Sequence, residues 1–267
     1  MDNRPIGVFD SGLGGLTAVR RLQELLPHED IVYFGDTGRV PYGTRSEDTI
    51  RRYAREDCQL LLDRDVKYII AACGTVSSVA PDILRSLPVP AIGVVEATAK
   101  AAIKATRNKH VGIIGTTATV RSRSFEKAML QIDATLRITA EACPMFVPLV
   151  ESGWIDPSNE VAIAMVRRYM VPFKSAGIDT LILGCTHFPL LAPIIQAELG
   201  DSVTLIDSGR ETAIHCAEVL AERDSLGDKP DGQCRFFVSD RPEGFTRTAE
   251  IFLGRSVREE VESISLK

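Results

Sequence analysis

Short apolar runs alternate with helix-like segments along the whole chain, and this alternation restricts the fold more than any other feature. Ile6-Gly7-Val8-Phe9, Ile31-Val32-Tyr33-Phe34, Tyr68-Ile69-Ile70-Ala71 and Ala91-Ile92-Gly93-Val94 each read as a buried strand. A glycine-rich turn, Asp10-Ser11-Gly12-Leu13-Gly14-Gly15, opens a helix through residues 17–22. Residues 46–64 place Ile50, Tyr53, Ala54 and Leu61 at helical spacing. Strands alternating with helices in this way build a mostly parallel sheet covered on both faces.

The pattern then restarts. His110-Val111-Gly112-Ile113-Ile114-Gly115-Thr116-Thr117 echoes the opening strand and turn, and Thr180-Leu181-Ile182-Leu183-Gly184 echoes the run before Cys73. An internal duplication follows: two similar three-layer α/β domains with mostly parallel sheets and an active site in the cleft between them. The tail holds a helix (residues 210–223), a polar loop (225–232) and a strand, Cys234 to Val238, that returns to the first sheet. The expected domains are therefore 1–97 with 208–267, and 98–207.

Composition narrows the function classes. With 267 residues, 45% hydrophobic, 25% charged and a formal net charge of −5, the chain reads as a soluble enzyme rather than a nucleic-acid binder. No apolar stretch is long enough to span a bilayer. A strand beginning at Ile6 leaves no room for a signal peptide, so a cytoplasmic location is expected. The six cysteines (58, 73, 143, 185, 216 and 234) show no CxxC spacing and read as free thiols rather than a metal or disulfide framework.

Two of those thiols stand out. Cys73 and Cys185 each follow a buried strand, where open α/β sheets bind ligands beyond the carboxyl ends of their strands. Thr186 and His187 follow Cys185 at the expected start of the next helix, and a helix N-terminus or an imidazolium favours a thiolate. An unperturbed thiol ionises at about 8.5, so either influence matters near neutrality. The glycine-rich turn lacks both a Gly-Lys-Ser/Thr ending and GxGxxG in register, which argues against a nucleotide. Asp10 suits an ammonium, while Ser11 and the helix-start amides suit an anion; a free amino acid carries both. Pro41-Tyr42-Gly43 either shapes a turn or presents its amides and phenol to ligand. Glu151, after the strand-like Val147-Pro148-Leu149-Val150, is either a solvated acid or the group that orients His187.

Taken together, GVFDSGLGGLTAVRRL, GDTGRVPYG, AACGT, GIIGTTATV and LILGCTHFPLL resemble the glutamate racemases of the aspartate/glutamate racemase superfamily, in order and over nearly the whole chain. The resemblance implies a cofactor-independent isomerase, a homodimer, that interconverts L- and D-glutamate and supplies D-glutamate for peptidoglycan in cell-wall biogenesis. It implies Cys73 and Cys185 as catalytic bases and Asp10, Ser11, Tyr42, Gly43, Gly74, Thr75, Thr186 and His187 as substrate contacts; Glu151 is read beside them as the group that supports His187. Cys73 would take the proton from D-glutamate and Cys185 from L-glutamate. Gly74 departs from the family's usual asparagine and keeps only a backbone role. The alternatives are a racemase of another amino acid such as aspartate, or a hydrolase or isomerase using one cysteine as nucleophile.

Overall fold

The computed structural model describes residues 1–257 and 260–265. Its strands are β1 (Ile6–Asp10), β2 (Ile31–Gly35), β3 (Tyr68–Ala71), β4 (Ala91–Gly93), β5 (His110–Gly115), β6 (Arg137–Ala142), β7 (Thr180–Leu183), β8 (Thr204–Asp207), β9 (Cys234–Val238) and β10 (Val261–Ser263). Two compact units divide the chain: residues 1–94 with 209–267, and residues 95–208. The chain crosses at 94/95 and 208/209, beside the 97/98 and 207/208 read from the sequence.

The first unit carries a six-stranded sheet in the order β10-β9-β2-β1-β3-β4, the second a four-stranded sheet in the order β6-β5-β7-β8. Every strand pair in both is parallel. Stripped of β9 and β10, the first sheet has the order 2-1-3-4, and the second repeats it strand for strand. β3 and β7 are thus equivalent positions, and each precedes one of the two cysteines by two residues.

Continuous burial shows why these runs became inner strands. β1, β2, β3, β5 and β7 are buried at every residue, which requires cover on both faces of the sheet. In the first unit Phe9, Phe34, Ile69 and Leu61 share one core cluster; in the second, Val111, Ile113, Phe125 and Ile182 do. Each such side chain contributes about 1.5–3 kcal/mol on burial. Helix Glu47–Leu62 begins where Ser46 Oγ accepts the Thr49 amide, with Glu47 and Asp48 in its first turn facing the positive helix end.

Segments of both units differ from the sequence reading. Residues 147–150 read as strand-like, yet Phe146–Glu151 is a helix that buries Phe146, Leu149 and Val150, a spacing of three and four. β6 was not expected: as an edge strand with no fully buried residue, its sequence Arg-Ile-Thr-Ala-Glu-Ala shows no continuous apolar run. Helix Pro242–Leu253 in the tail was also not expected.

Candidate active site

In the first unit, the Ala72 amide donates to Phe9 O of the central strand β1, at 2.9 Å, and fixes the chain just before Cys73. Cys73 caps the six-residue helix Gly74–Val79, so Gly74 and Thr75 form its first turn. The Cys73 thiol lies 3.5 Å from Ser11 Oγ, which joins the cysteine to the glycine-rich turn. That turn is pinned closely. Asp10 Oδ2 accepts the Gly12 amide at 2.9 Å, and Tyr33 Oη donates to Gly12 O at 2.8 Å. A Cβ on Gly35 would stand 2.5 Å from Gly12 O, so glycine is what lets β2 run against the turn.

Burial pushes the Cys73 thiol up to about 11, and the nearby Asp10 carboxylate adds to the shift; Ser11 and the Val76 amide pull the other way without prevailing. Near neutrality Cys73 is therefore a neutral thiol. Its helix N-terminus does not overcome desolvation.

The second unit repeats the backbone arrangement with different side chains. Here the Gly184 amide donates to Ile114 O of β5, at 2.8 Å, immediately before Cys185. Any Cβ at Gly184 would sit 2.7 Å from that same carbonyl, a close approach that only glycine permits. His187 Nδ1 is 3.9 Å from Cys185 Sγ, and His187 Nε2 is 3.0 Å from Glu151 Oε1. Burial opposes the imidazolium, but Cys185 and Glu151 outweigh it and raise His187 to about 10. A group ionising there is protonated at neutral pH, which puts a cation beside the sulfur. Thr186, between the two, is buried.

The structure thus joins Cys185, His187 and Glu151, and it joins Cys73, Ser11 and Asp10. It corrects two expectations. No helix starts directly after Cys185: a 3-10 turn spans Phe188–Leu191 and the α-helix begins at Ala192. Pro189 and Pro193, which lack amide hydrogens, sit at the starts of these elements. The helix-start setting belongs to Cys73 instead. The Tyr42 phenol is likewise not presented to ligand. It is 1% exposed and its hydroxyl is hydrogen-bonded to both the Asp36 and the Asp57 carboxyl groups, while exposed Gly43 follows on the surface.

Arg39 closes this buried network through Asp36, Glu56 and Asp57 and holds the loop that carries Gly43. Sequence reasoning did not single out Arg39 or Asp57. A signal was present: Asp57 falls seven residues after Ile50, on the apolar face of helix Glu47–Leu62. Burial and the neighbouring Asp36 push its carboxyl well above the usual range. Among the described residues no group of three or more His, Cys, Asp and Glu side chains is gathered to hold a metal ion. Nor is any helix among them long and apolar enough to cross a membrane.

The Asp/Glu/hydantoin racemase family profile matches residues 7–216. The chain belongs to that family. The glutamate racemase of Neisseria meningitidis serogroup B is 47% identical over 98% of this chain and 97% of its own length. That of Geobacter metallireducens is 46% identical over 94% and 93%. Among solved structures, the glutamate racemase isoform RacE1 of Bacillus anthracis superposes with a TM-score of 0.93 at 37% identity, covering 100% of this chain and 99% of that one. The glutamate racemase of Francisella tularensis in complex with D-glutamate superposes with a TM-score of 0.90 at 36% identity, with the same coverage.

Proposed function

We propose that this protein is a cofactor-independent glutamate racemase that uses Cys73 and Cys185 as its two acid–base groups. Relatives at 44–47% identity over nearly their full lengths are named for glutamate, which favours that substrate over aspartate. The observation that carries the mechanism is the pair of thiols at equivalent strand ends, β3 and β7, one beside a carboxylate and one beside a cation.

Racemisation removes the α-proton from one face of the carbon and delivers a proton to the other. Two bases do this without any residue having to move around the substrate. Starting from L-glutamate, a Cys185 thiolate takes the α-proton, held negative by the protonated His187 that Glu151 keeps in place. The Cys73 thiol, neutral at neutral pH, gives its proton to the opposite face. The products are D-glutamate, a Cys185 thiol and a Cys73 thiolate. The reverse reaction uses the same groups in exchanged states. Asp10 faces the substrate ammonium, whose positive charge offsets the negative field that the carboxylate imposes on Cys73. Hydroxyls of Ser11, Thr75 and Thr186 and the amides of Gly43 and Gly74 hold the carboxylates, and Tyr42 contributes backbone only. Those donors stabilise charge that develops at the α-carbon and its carboxylate.

In this reading the enzyme is a cytoplasmic homodimer, and its D-glutamate goes to peptidoglycan in cell-wall biogenesis. Circular dichroism of L- and of D-glutamate, incubated separately with purified enzyme and no added cofactor, tests the activity. Both solutions should decay to zero ellipticity. Loss of signal only after adding pyridoxal phosphate, or loss with aspartate but not glutamate, would reject the proposal.

A further inference from the structure

Two buried serines take no part in the proton transfers above, yet both bond to the strands that carry the cysteines. Ser77 Oγ lies 2.9 Å from Cys73 O and 3.0 Å from Ala71 O, and it accepts the Val94 amide at 3.1 Å. A helical serine that bonds the carbonyl four residues back is ordinary, and this explains the contact with Cys73 O alone. Ala71, however, ends β3, and Val94 is the residue at which the chain leaves the first unit. A Cβ on Gly93 would stand 2.6 Å from Ser77 Oγ and 2.8 Å from Ser77 Cβ. Glycine at 93 is therefore what lets the departing chain reach the hydroxyl.

The second unit has a counterpart. Ser208 is its last residue and is 1% exposed, and its Oγ donates to Leu183 O at 3.1 Å. Leu183 ends β7 as Ala71 ends β3, and each lies two residues before its cysteine. In both units a serine hydroxyl therefore meets the final carbonyl of the cysteine-bearing strand. In both, the hydroxyl is at or bonded to the residue where the chain crosses from one unit to the other.

From this repetition we infer that Ser77 and Ser208 are positioning residues for Cys73 and Cys185, locking each strand end to a crossing of the chain. The inference rests on the reading of both thiols as the acid–base pair. Satisfying a buried carbonyl would stabilise the fold anywhere. Placing these particular carbonyls fixes the backbone from which each sulfur projects, and proton transfer is sensitive to misplacement on the ångström scale.

The test compares Ser77→Ala, Ser208→Ala and Gly93→Ala, with Ser86→Ala as a control that removes a hydroxyl bonded to Ile83 O in the same unit. Ser77→Ala and Ser208→Ala should each lower kcat on the order of tenfold, with KM within about twofold, and enlarge the isotope effect with α-deuterated glutamate. Gly93→Ala should reproduce Ser77→Ala while keeping the hydroxyl, and Ser86→Ala should leave kcat unchanged. If Ser77→Ala does not fold, Gly93→Ala and Ser208→Ala carry the same test. Lower melting temperatures with kcat and isotope effect unchanged would overturn the positioning role. Cys73→Ala, run alongside, separates the two claims. If it racemises normally, the two-thiol reading fails; if it is inactive while the serine variants are normal, only the positioning inference fails.

Discussion

Cys73 and Cys185 follow equivalent strands in sheets of the same order, and the amide just before each donates to the central strand beside it. Their surroundings then part. Cys73 is buried near Asp10, and its thiol is pushed up to about 11. Cys185 is less buried and lies 3.9 Å from His187, itself raised to about 10 and backed by Glu151. A repeated scaffold thus supplies the position of each sulfur, and local side chains supply its electrostatics. The contrast suits the proposed reaction, in which one sulfur gives a proton while the other takes one.

The largest effect should come from removing either sulfur. Cys73→Ala and Cys185→Ala should each lower racemisation by at least about a thousandfold, measured by circular dichroism, because alanine offers no group to give or take a proton. A variant retaining a tenth of the wild-type rate would break the comparison by showing that one thiol suffices.

Next in size is the cation of the second unit. His187→Asn should cost about a hundredfold in kcat, and Glu151→Gln about tenfold. Removing the Glu151 charge lowers the folded His187 ionisation, so its NMR titration should move down from about 10. An unmoved titration would mean that Glu151 does not hold the imidazolium.

A third test addresses the first unit. Because the Cys73 ionisation is raised, its rate of alkylation should climb as pH rises toward about 11, read by mass spectrometry of the Cys73 peptide. Asp10→Asn removes a negative neighbour and should shift this profile to lower pH. A shift to higher pH would contradict the assigned cause. The smallest effect on activity belongs to Tyr42→Phe. The phenol is engaged with Asp36 and Asp57, so kcat/KM should stay within about twofold while stability falls by about 1–3 kcal/mol.

Much of this contrast is legible in the sequence, for a physical reason. Strands buried on both faces, such as Ile31–Gly35 and Thr180–Leu183, must be continuously apolar, so they announce themselves. Local adjacency also showed, in Cys185-Thr186-His187. Edge strand Arg137–Ala142 gave no such sign, because one side of it lacks a neighbour. Pairings across long separations were hidden as well. Nothing near Tyr42 declares that its phenol turns inward to Asp57, and nothing near Ser208 declares its bond to Leu183 O. Glu151 could be suspected, but only folding Phe146–Glu151 into a helix brings its carboxylate to His187.

The division of labour between the two thiols is tested most directly by α-proton exchange in deuterium oxide with each cysteine variant. Each variant retains one base and so should wash deuterium into one enantiomer without inverting it. Cys73→Ala should exchange L-glutamate and leave D-glutamate untouched, and Cys185→Ala should do the reverse. A single variant that exchanges both enantiomers, or the opposite pairing of variant and enantiomer, would contradict the account.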